Sequence, residues 1–392
     1  MNVSKKKFSL AINASRARSG GASLHLLELT KLIQKYEGLI STVHIWTNNL
    51  LALKIINSQF FKKNKFIKLH VPHELSKSIL RQIIWEKYYF PKEFKKKKCD
   101  ILLNIDAGSF ARIRPCVTMS RDMLSYEKGT AKLFGFGLER FRIEVLRYIQ
   151  NQSLRFADSS IFLTKYAKRI ITKNCAKVNN SFIVNHGISS IFKRKKKYKS
   201  NLSSPLRCIY VSNLMPYKHH IEVINAFKIL QKKINIKLDL TIDLNLIKNS
   251  RYKTKFSKIL SSIEFDNKFV SCIGEISHNK LPILIEQYDI FIFASSCETM
   301  PNTLLEAMRM GMPIACSNSG PMPEILQDGG IYFNPKSSLS IADSVLLLAK
   351  KKSLRFQLSK KSFALSKKYS WDKCIKETVQ ILIKTLKKYK KI

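Results

Sequence analysis

The sequence predicts an α/β protein built from two doubly wound domains, each with a parallel sheet covered by helices. A chain of 392 residues is longer than one hydrophobic core usually supports. Short apolar runs of strand length alternate with stretches of helical periodicity in both halves of the chain. Between the halves, residues 188–205 are basic and rich in Ser, which indicates a solvated linker. We therefore expect a first domain over residues 1–187 and a second over residues 206–370.

The first domain begins with one strand–helix unit. Residues 8–13 form an apolar run of strand length, a polar loop with Gly20 and Gly21 follows, and residues 23–36 carry leucines at helical spacing. Later helices are expected over residues 79–90 and 141–156. Further strands of this domain are expected at residues 43–46, 66–69, 101–104, 116–119, 160–163 and 182–184.

The second domain repeats the alternation, so two Rossmann-like domains are expected. Its strands are expected at residues 208–211, 237–242, 269–272, 290–293, 313–316 and 331–333. Its helices are expected at residues 218–231, 281–287, 303–310 and within 337–368. A last amphipathic helix is expected from Trp371 onward.

The net charge of +43 predicts an affinity for polyanions, without choosing among nucleic acid, anionic lipid and phosphorylated substrates. Much of the lysine also fits an AT-rich coding sequence and a solvated surface. Three basic tracts, at residues 95–98, 193–199 and 387–391, have Phe or Tyr in or beside them. That combination favours an anionic membrane surface over base-specific contacts, so no specific nucleic-acid partner is expected.

Neither a metal centre nor a membrane span is expected. The eight cysteines form no C-x-x-C pair and no Cys/His cluster, which favours reduced, mostly buried thiols over a zinc site or a disulfide framework. No apolar run approaches the roughly 18 to 20 residues of a spanning helix, and the run after the first lysines is too short for a secretion signal. The chain is therefore expected in the cytoplasm, attached peripherally to the inner face of the membrane.

One loop combines the features of an anion and sugar site. A strand ends at Phe293, and a helix is expected to begin at Asn302 or Thr303. Free amides at a helix N-terminus bind phosphate. Glu298 lies before this helix and Glu306 lies within it, and carboxylates suit ribose and sugar hydroxyls. An ordinary solvated helix face is the alternative interpretation of the two glutamates.

The stretch from Glu298 to Glu306, followed by Ala-Met-x-x-Gly-x-Pro-Ile, resembles the motif of glycosyltransferase family 4. The resemblance covers most of the chain and is strongest between residues 205 and 335. It implies the GT-B fold, with the last helix, residues 371–392, packing back on the first domain. The other similar stretches are residues 210–218, 273–277, 319–324 and 328–333 in the second half, and Gly20-Gly21, residues 155–159 and 184–188 in the first.

The resemblance also implies roles for individual residues. Glu306 should hold the ribose hydroxyls, Glu298 the transferred sugar, and Lys218 the departing diphosphate in place of a divalent metal. No cofactor or metal is then required. Backbone amides of the motif and of the glycine loop should contact the sugar and the diphosphate, and the donor-binding residues expected on this basis are Met300, Asn302, Thr303, Leu304, Gly20 and Gly21.

The chain departs from the family at one position. Members commonly carry an arginine five or six residues before the lysine, whereas Ser212 and Asn213 stand here. We keep Asn213 among the donor-binding residues and expect Arg121, after the strand at residues 116–119, to supply the missing charge. Its neighbour Asp122 is expected to act on the acceptor side.

These features predict a retaining glycosyltransferase that uses a nucleotide-sugar donor, either a UDP- or a GDP-sugar. The acceptor expected by family analogy is a glycan on a polyprenyl diphosphate, as in bacterial surface polysaccharide assembly. Two alternatives stay open: a GT-B enzyme of nucleotide sugars with a soluble acceptor, and a catalytically silent GT-B protein that binds polyanions. The sequence determines neither the sugar nor the linkage.

Overall fold

The computed structural model describes residues 7–390 apart from 18–19, 59–60, 62–64, 176, 194–203, 247–249 and 265–268. The strands of the described part are β1 (Phe8–Asn13), β2 (Ile40–Trp46), β3 (Ile67–His70), β4 (Ile101–Asn104), β5 (Cys116–Ser120), β6 (Ser159–Phe162), β7 (Ser181–Ile183), β8 (Leu206–Tyr210), β9 (Ile236–Leu240), β10 (Val270–Cys272), β11 (Ile290–Phe293), β12 (Ile314–Ser317) and β13 (Ile331–Phe333). The α-helices there are α1 (Gly20–Leu32), α2 (Asn49–Ile56), α3 (Ile79–Ile84), α4 (Phe90–Lys96), α5 (Leu138–Phe156), α6 (Lys165–Asn174), α7 (His220–Leu230), α8 (Arg251–Glu264), α9 (Leu281–Ile285), α10 (Asn302–Met310), α11 (Met322–Leu326), α12 (Ser338–Lys350), α13 (Lys352–Ser366) and α14 (Trp371–Tyr389).

The chain divides into two compact units. The first contains residues 1–126, 136–187 and 370–392, and the second contains residues 127–135 and 188–369. The sequence-based division placed residues 127–135 in the first domain, and this placement was wrong. The short 3-10 helix at Ala131–Phe134 contacts the turn at Pro216–Lys218, which groups the segment with the second unit.

The predicted linker also differs from the structure at its start. Residues 188–193 belong to the second unit, and Ile188 and Phe192 are buried there. The Phe192 ring stacks edge-on against His278 at 5.2 Å, which fixes this segment to the domain. The basic run at 194–199 lies outside the described residues.

The first unit is built on a seven-stranded parallel sheet with the order β3-β2-β1-β4-β5-β6-β7. Leu10 and Ile12 of β1 face one apolar cluster, which includes α1, α2 and α14. Ala11, between them, faces a second cluster with Trp85 and Phe90 on the other side of the sheet. The side chains of β1 thus alternate between two buried layers, as in doubly wound sheets. The prediction that the last helix packs on the first domain is confirmed, because Trp371, Ile375 and Leu382 of α14 lie in the first cluster.

The second unit has a six-stranded parallel sheet with the order β10-β9-β8-β11-β12-β13. Its core gathers apolar side chains from β8, β9 and β11 with those of α7 and α12. Both described sheets follow the Rossmann strand order, in which the chain starts in the middle of the sheet and reverses direction once. The prediction of a Rossmann-like fold is confirmed for each unit taken by itself.

Two local predictions need correction. Gly20 and Gly21 were expected in a loop before a helix from Ser23, but α1 begins at Gly20, whose φ of +62° is a left-handed conformation that glycine adopts without strain. The single helix expected over residues 79–90 is instead α3, a π-helical turn at Trp85–Tyr89 and α4. None of the described helices is long and apolar enough to cross a membrane.

Candidate functional site

The second unit places its predicted site residues at the point where the strand order reverses. The strands β8 and β11 are neighbours in the sheet. After β8 the chain continues to β9 on one side, and after β11 it continues to β12 on the other. The loop after β8 carries Lys218, and the loop after β11 carries Glu298. Ligands of open α/β sheets bind at this reversal point, beyond the carboxyl ends of the strands.

Hydrogen bonds join the two loops. The Ser296 amide donates to the Tyr217 carbonyl at 2.9 Å, and the Ser296 hydroxyl lies 2.8 Å from Nε2 of His219. The Tyr210 hydroxyl donates to the Lys218 carbonyl at 2.8 Å. The turn then ends at His219, whose φ of +52° lets the chain enter α7. The backbone of Lys218 is therefore held from both sides.

Lys218 and Glu298 form an ion pair through Nζ and Oε1. Their side chains are largely shielded from solvent, with 11% and 17% exposed. The ammonium also lies 5.7 Å from the centre of the Phe293 ring. The ammonium of such a shielded pair can bind a phosphate, and the carboxylate beside it can bind a hydroxyl group.

Glu306 is buried on α10 and only half of its carboxylate is paired. Its Oε1 lies 2.8 Å from Nε2 of His278, whereas Oε2 has no hydrogen-bond partner among the described residues. A buried carboxylate oxygen without a partner is costly, which indicates that a donor from a ligand completes it. His278 was not predicted from the sequence, although it directly follows residues 273–277, which carry part of the family resemblance.

The helix α10 begins at Asn302, as predicted, with Pro301 before it. First-turn amides have no partner inside their own helix, so Asn302, Thr303 and Leu304 present theirs at the end of the β11 loop. Met300 and Leu304 are buried, and the buried Oδ1 of Asn302 has no hydrogen-bond partner among the described residues. The helix thus offers amides and one side-chain acceptor in the same place.

Asn213 lies exposed in the loop after β8. No hydrogen bond of the described structure ties it to Lys218 or Glu298. Its neighbour Ser212 has its hydroxyl 2.8 Å from Nε2 of His220. Burial, together with the charge of Lys218, lowers the pKa of His220 to about 3, so this imidazole is neutral at ordinary pH. The loop therefore carries one cation, Lys218, toward the site.

A cavity of about 450 Å³ opens beside this loop, on the side of Pro216 and His219. Arg251, Lys255 and Lys336 line it together with one carboxylate, Glu222. Neither Glu298 nor Glu306 is among its lining residues, so it is a separate concavity of the second unit.

The first unit brings three further predicted residues together. Arg121 follows β5, and its guanidinium donates from one terminal nitrogen to the Gly21 carbonyl at 2.5 Å. The same nitrogen lies 3.3 Å from Nε2 of His186. Burial lowers the pKa of Arg121 to about 10, which still leaves it charged at neutral pH. Gly20 precedes this contact at the start of α1.

Asp122 adjoins the same arginine. Burial raises the pKa of its carboxyl to about 6, and the charge of Asp106 adds to the effect. Asp106 follows β4, and burial also raises its own pKa, against the opposing charge of Arg121. Asp106 was not predicted, although its place just after β4, which neighbours β1 at the reversal point of this sheet, was a usable signal.

A fully buried carboxylate, Glu86, supports the loops of this unit. It accepts from Arg16 at 2.9 Å, from the Ser15 hydroxyl at 2.5 Å and from the side-chain amide of Asn13 at 3.2 Å. Its backbone lies in the π-helical turn at Trp85–Tyr89, and such turns inside helices are frequent at functional sites. The network fixes the segment that follows β1.

The predicted residues therefore form two groups, one in each unit. Lys218, Glu298, Glu306 and residues 300–304 share the reversal point of the second sheet, whereas Gly20, Gly21, Arg121 and Asp122 belong to the first unit. Within the described residues no cluster of three or more His, Cys, Asp or Glu has the arrangement of a metal site.

Comparison with known proteins places this geometry in context. Residues 192–364 match the family model described as glycosyl transferases group 1. The O-antigen chain mannosyltransferase B of Escherichia coli is 24% identical over 174 residues, which are 44% of this chain and 44% of that protein. The match thus spans less than half the length of this curated relative.

Solved structures are similar over nearly the whole chain at low identity. Sucrose-phosphate synthase of Thermosynechococcus elongatus superposes with a TM-score of 0.74 and 14% identity, covering 96% of this chain and 98% of that one. Alr3699/HepE of Anabaena, solved with UDP-glucose, superposes with a TM-score of 0.70 and 16% identity, covering 96% of this chain and 100% of that one. The chain therefore has the GT-B fold, and residues 192–364 within it match the group 1 glycosyl transferases.

Proposed function

We propose that this chain is a retaining glycosyltransferase that moves a sugar from a nucleotide-diphosphate donor to a lipid-linked glycan at an anionic membrane surface. The observation that carries the proposal is the Lys218–Glu298 pair at the strand reversal of a unit that matches the group 1 model. The donor class is supported by the UDP-glucose bound in Alr3699/HepE of Anabaena. The acceptor class is supported by the name of the E. coli relative, an O-antigen chain mannosyltransferase.

In this proposal the donor separates the ion pair. The diphosphate binds the Lys218 ammonium and the α10 amides, and the charge that develops on the leaving phosphate is stabilised there. Glu298, released from the lysine, accepts from hydroxyl groups of the transferred sugar. The unpaired oxygen of Glu306 accepts from the ribose. The Lys218 ammonium and the α10 amides supply the positive charge that a divalent metal supplies in other transferases, so transfer is expected without a metal.

The acceptor hydroxyl attacks from the face that the leaving group vacates, so the anomeric configuration is retained. Its proton passes to the departing phosphate. No side chain is needed as a nucleophile, in contrast to retaining glycosidases, which use two carboxylates. We assign Asp122 to the acceptor side and Arg121 to the donor phosphates, and we place the protein at the inner face of the cytoplasmic membrane.

Donor turnover tests the proposal. Purified protein is incubated with UDP-glucose, a GDP-sugar and an ADP-sugar in EDTA, and release of the nucleotide diphosphate is measured with and without membrane extract. We expect release from one donor class and, by NMR, a first-formed sugar that keeps the donor's anomeric configuration. Inversion, or no release from any donor, would contradict the proposal.

Lys218→Ala is the matching variant. Loss of the leaving-group cation should lower turnover by about 10² to 10³, the effect of removing one preorganised transition-state donor. Lys258→Ala is the control, because Lys258 is exposed on α8 and has no place in the site. An equal loss in both variants would remove the role given to Lys218.

A further inference from the structure

The helix α5 and Phe136, just before it, expose large apolar side chains to solvent. Phe136 is 90% exposed, Leu138 87%, Phe141 69% and Tyr148 65%. Leaving so much apolar surface in water is unfavourable, and contiguous patches of this kind mark interaction sites.

These side chains share one face of the helix. Leu138, Phe141, Val145 and Tyr148 follow one another at intervals of three or four residues, which places them within one narrow stripe. The buried face of α5, with Ile143 and Leu154 among its residues, lies on the opposite side. The helix therefore has two apolar faces, and the fold of the described chain uses only one of them.

The turns that carry the exposed stripe contain three arginines and two exposed glutamates, Glu139 and Glu144. The guanidinium of Arg140 lies 5.1 Å from the centre of the Phe136 ring, and Arg142 is exposed on the neighbouring turn. Arg147 is paired with Glu144. Arginine next to exposed aromatic rings suits a boundary between apolar chains and phosphate groups.

A second exposed apolar segment lies on the same side of the first sheet. Leu80, Tyr88 and Tyr89, between residues 79 and 89, are more than half exposed. The neighbouring Trp85 packs in the cluster on one side of the sheet, and Phe156, the last residue of α5, packs against that same cluster. Exposed apolar side chains thus occur on more than one helix of this unit.

We propose that the exposed stripe of α5, with Phe136 before it, is a membrane-docking face that inserts into anionic bilayers. The rings and Leu138 enter the boundary between headgroups and acyl chains, and Arg140 and Arg142 bind lipid phosphates. A second copy of this chain fits less well, because the net charge of +43 and the stripe's own arginines would repel their copies. This inference rests on the proposed function, because docking would bring the chain to a lipid-linked acceptor.

The test is sedimentation of the full chain with vesicles of phosphatidylcholine alone and of phosphatidylcholine with about a third phosphatidylglycerol. Wild type should bind the anionic vesicles, and the triple variant F136S/L138S/F141S should lose at least about tenfold in partitioning. R140Q/R142Q should weaken binding in low salt and approach wild type in high salt, where charge is screened. The control is L50S/L53S, because these exposed leucines belong to α2, which packs on the other side of the sheet.

The triple variant should keep the thermal stability of wild type, since all three side chains are mostly exposed. Wild type that fails to bind vesicles, a triple variant that binds equally well, or an equal loss in L50S/L53S would each overturn the proposal. A triple variant that instead changes the oligomeric state, measured by light scattering, would assign the face to a second copy. Vesicle binding needs no donor, so its failure would leave the proposed sugar transfer untouched.

Discussion

Desolvation raises the pKa of the Asp122 carboxyl, and the charge of a second carboxyl, that of Asp106, adds to the effect. The pKa of Asp122 is about 6, well above the ordinary aspartate value near 3.9. At pH 7 the group is therefore mostly ionised, and it gains a proton as the pH falls through about 6. If its ionised form serves the acceptor side, turnover should fall along an acid limb with its midpoint near pH 6. A pH profile of kcat/KM measures this limb.

Asp106→Asn should move that midpoint downward, because it removes the neighbouring charge that helps to raise the pKa of Asp122. Asp122→Asn should remove the limb together with most of the activity. An unshifted midpoint near pH 6 in both variants would assign the limb to another group.

His278 is expected to position Glu306. Its Nε2 lies 2.8 Å from the Glu306 carboxylate, so His278→Ala removes a hydrogen bond to a charged group, worth about 1.5 to 3 kcal/mol. Nucleotide binding should weaken by about tenfold or more, measured by calorimetry, with a smaller effect on kcat. His278→Gln keeps a donor at this position and should recover part of the affinity. Equal binding in His278→Ala would show that Glu306 needs no such support.

Individual site residues were predictable from the sequence where they lie in loops that follow strands. Lys218 and Glu298 lie in the loops after β8 and β11, and these strands are neighbours in the sheet, which brings the two side chains together. The partnership of Glu306 with His278 was not predictable, because it depends on the packing of a loop from a different strand connection. Nor does sequence show that Arg121 contacts the Gly21 carbonyl.

At the scale of elements, the start of α14 depends on a glycine. A Cβ atom on Gly187 would lie 2.1 Å from the Trp371 backbone nitrogen, far inside any real contact. Gly187→Ala should force the first turn of α14 away from its place and lower the stability by about 1 to 3 kcal/mol, the usual effect of overpacking. Thermal unfolding should show a decrease in Tm of several degrees.

Gly38→Ala is the matched control, because a Cβ atom there meets nothing within 4 Å. Equal Tm values for the two variants would mean that the contact between Gly187 and α14 does not constrain the fold.

The strands were predictable from short apolar runs, and only their ends moved, as β2 shows by starting at Ile40 instead of Val43. Helices were less predictable. No helix was expected at α2, α6, α8 or α11, and the turn at Trp85–Tyr89 took π-helical geometry where a continuous α-helix was expected. That turn orients the buried Glu86 toward Arg16, a tertiary contact that periodicity does not reveal.

At the scale of the whole molecule, the alternation of strands and helices was sufficient to predict two doubly wound sheets. The division between units was less accurate, because residues 127–135 of the first half and residues 188–193 of the predicted linker belong to the second unit. Composition gives no sign that residues 127–135 do so. The net charge of +43 indicates polyanionic partners at this scale without selecting one, and local contacts must make that choice.

The most direct test of the account is a thermal-shift comparison of wild type, Glu306→Ala and the control Asp343→Ala, whose exposed side chain lies on α12. UDP, GDP, ADP and CMP are added with EDTA or with magnesium. We predict a rise with one nucleoside diphosphate in EDTA, about 2.7 kcal/mol of stabilisation at roughly a hundred times Kd, which Asp343→Ala keeps and Glu306→Ala loses. A rise that survives in Glu306→Ala, or no response of wild type to any nucleotide, would contradict the proposed donor site.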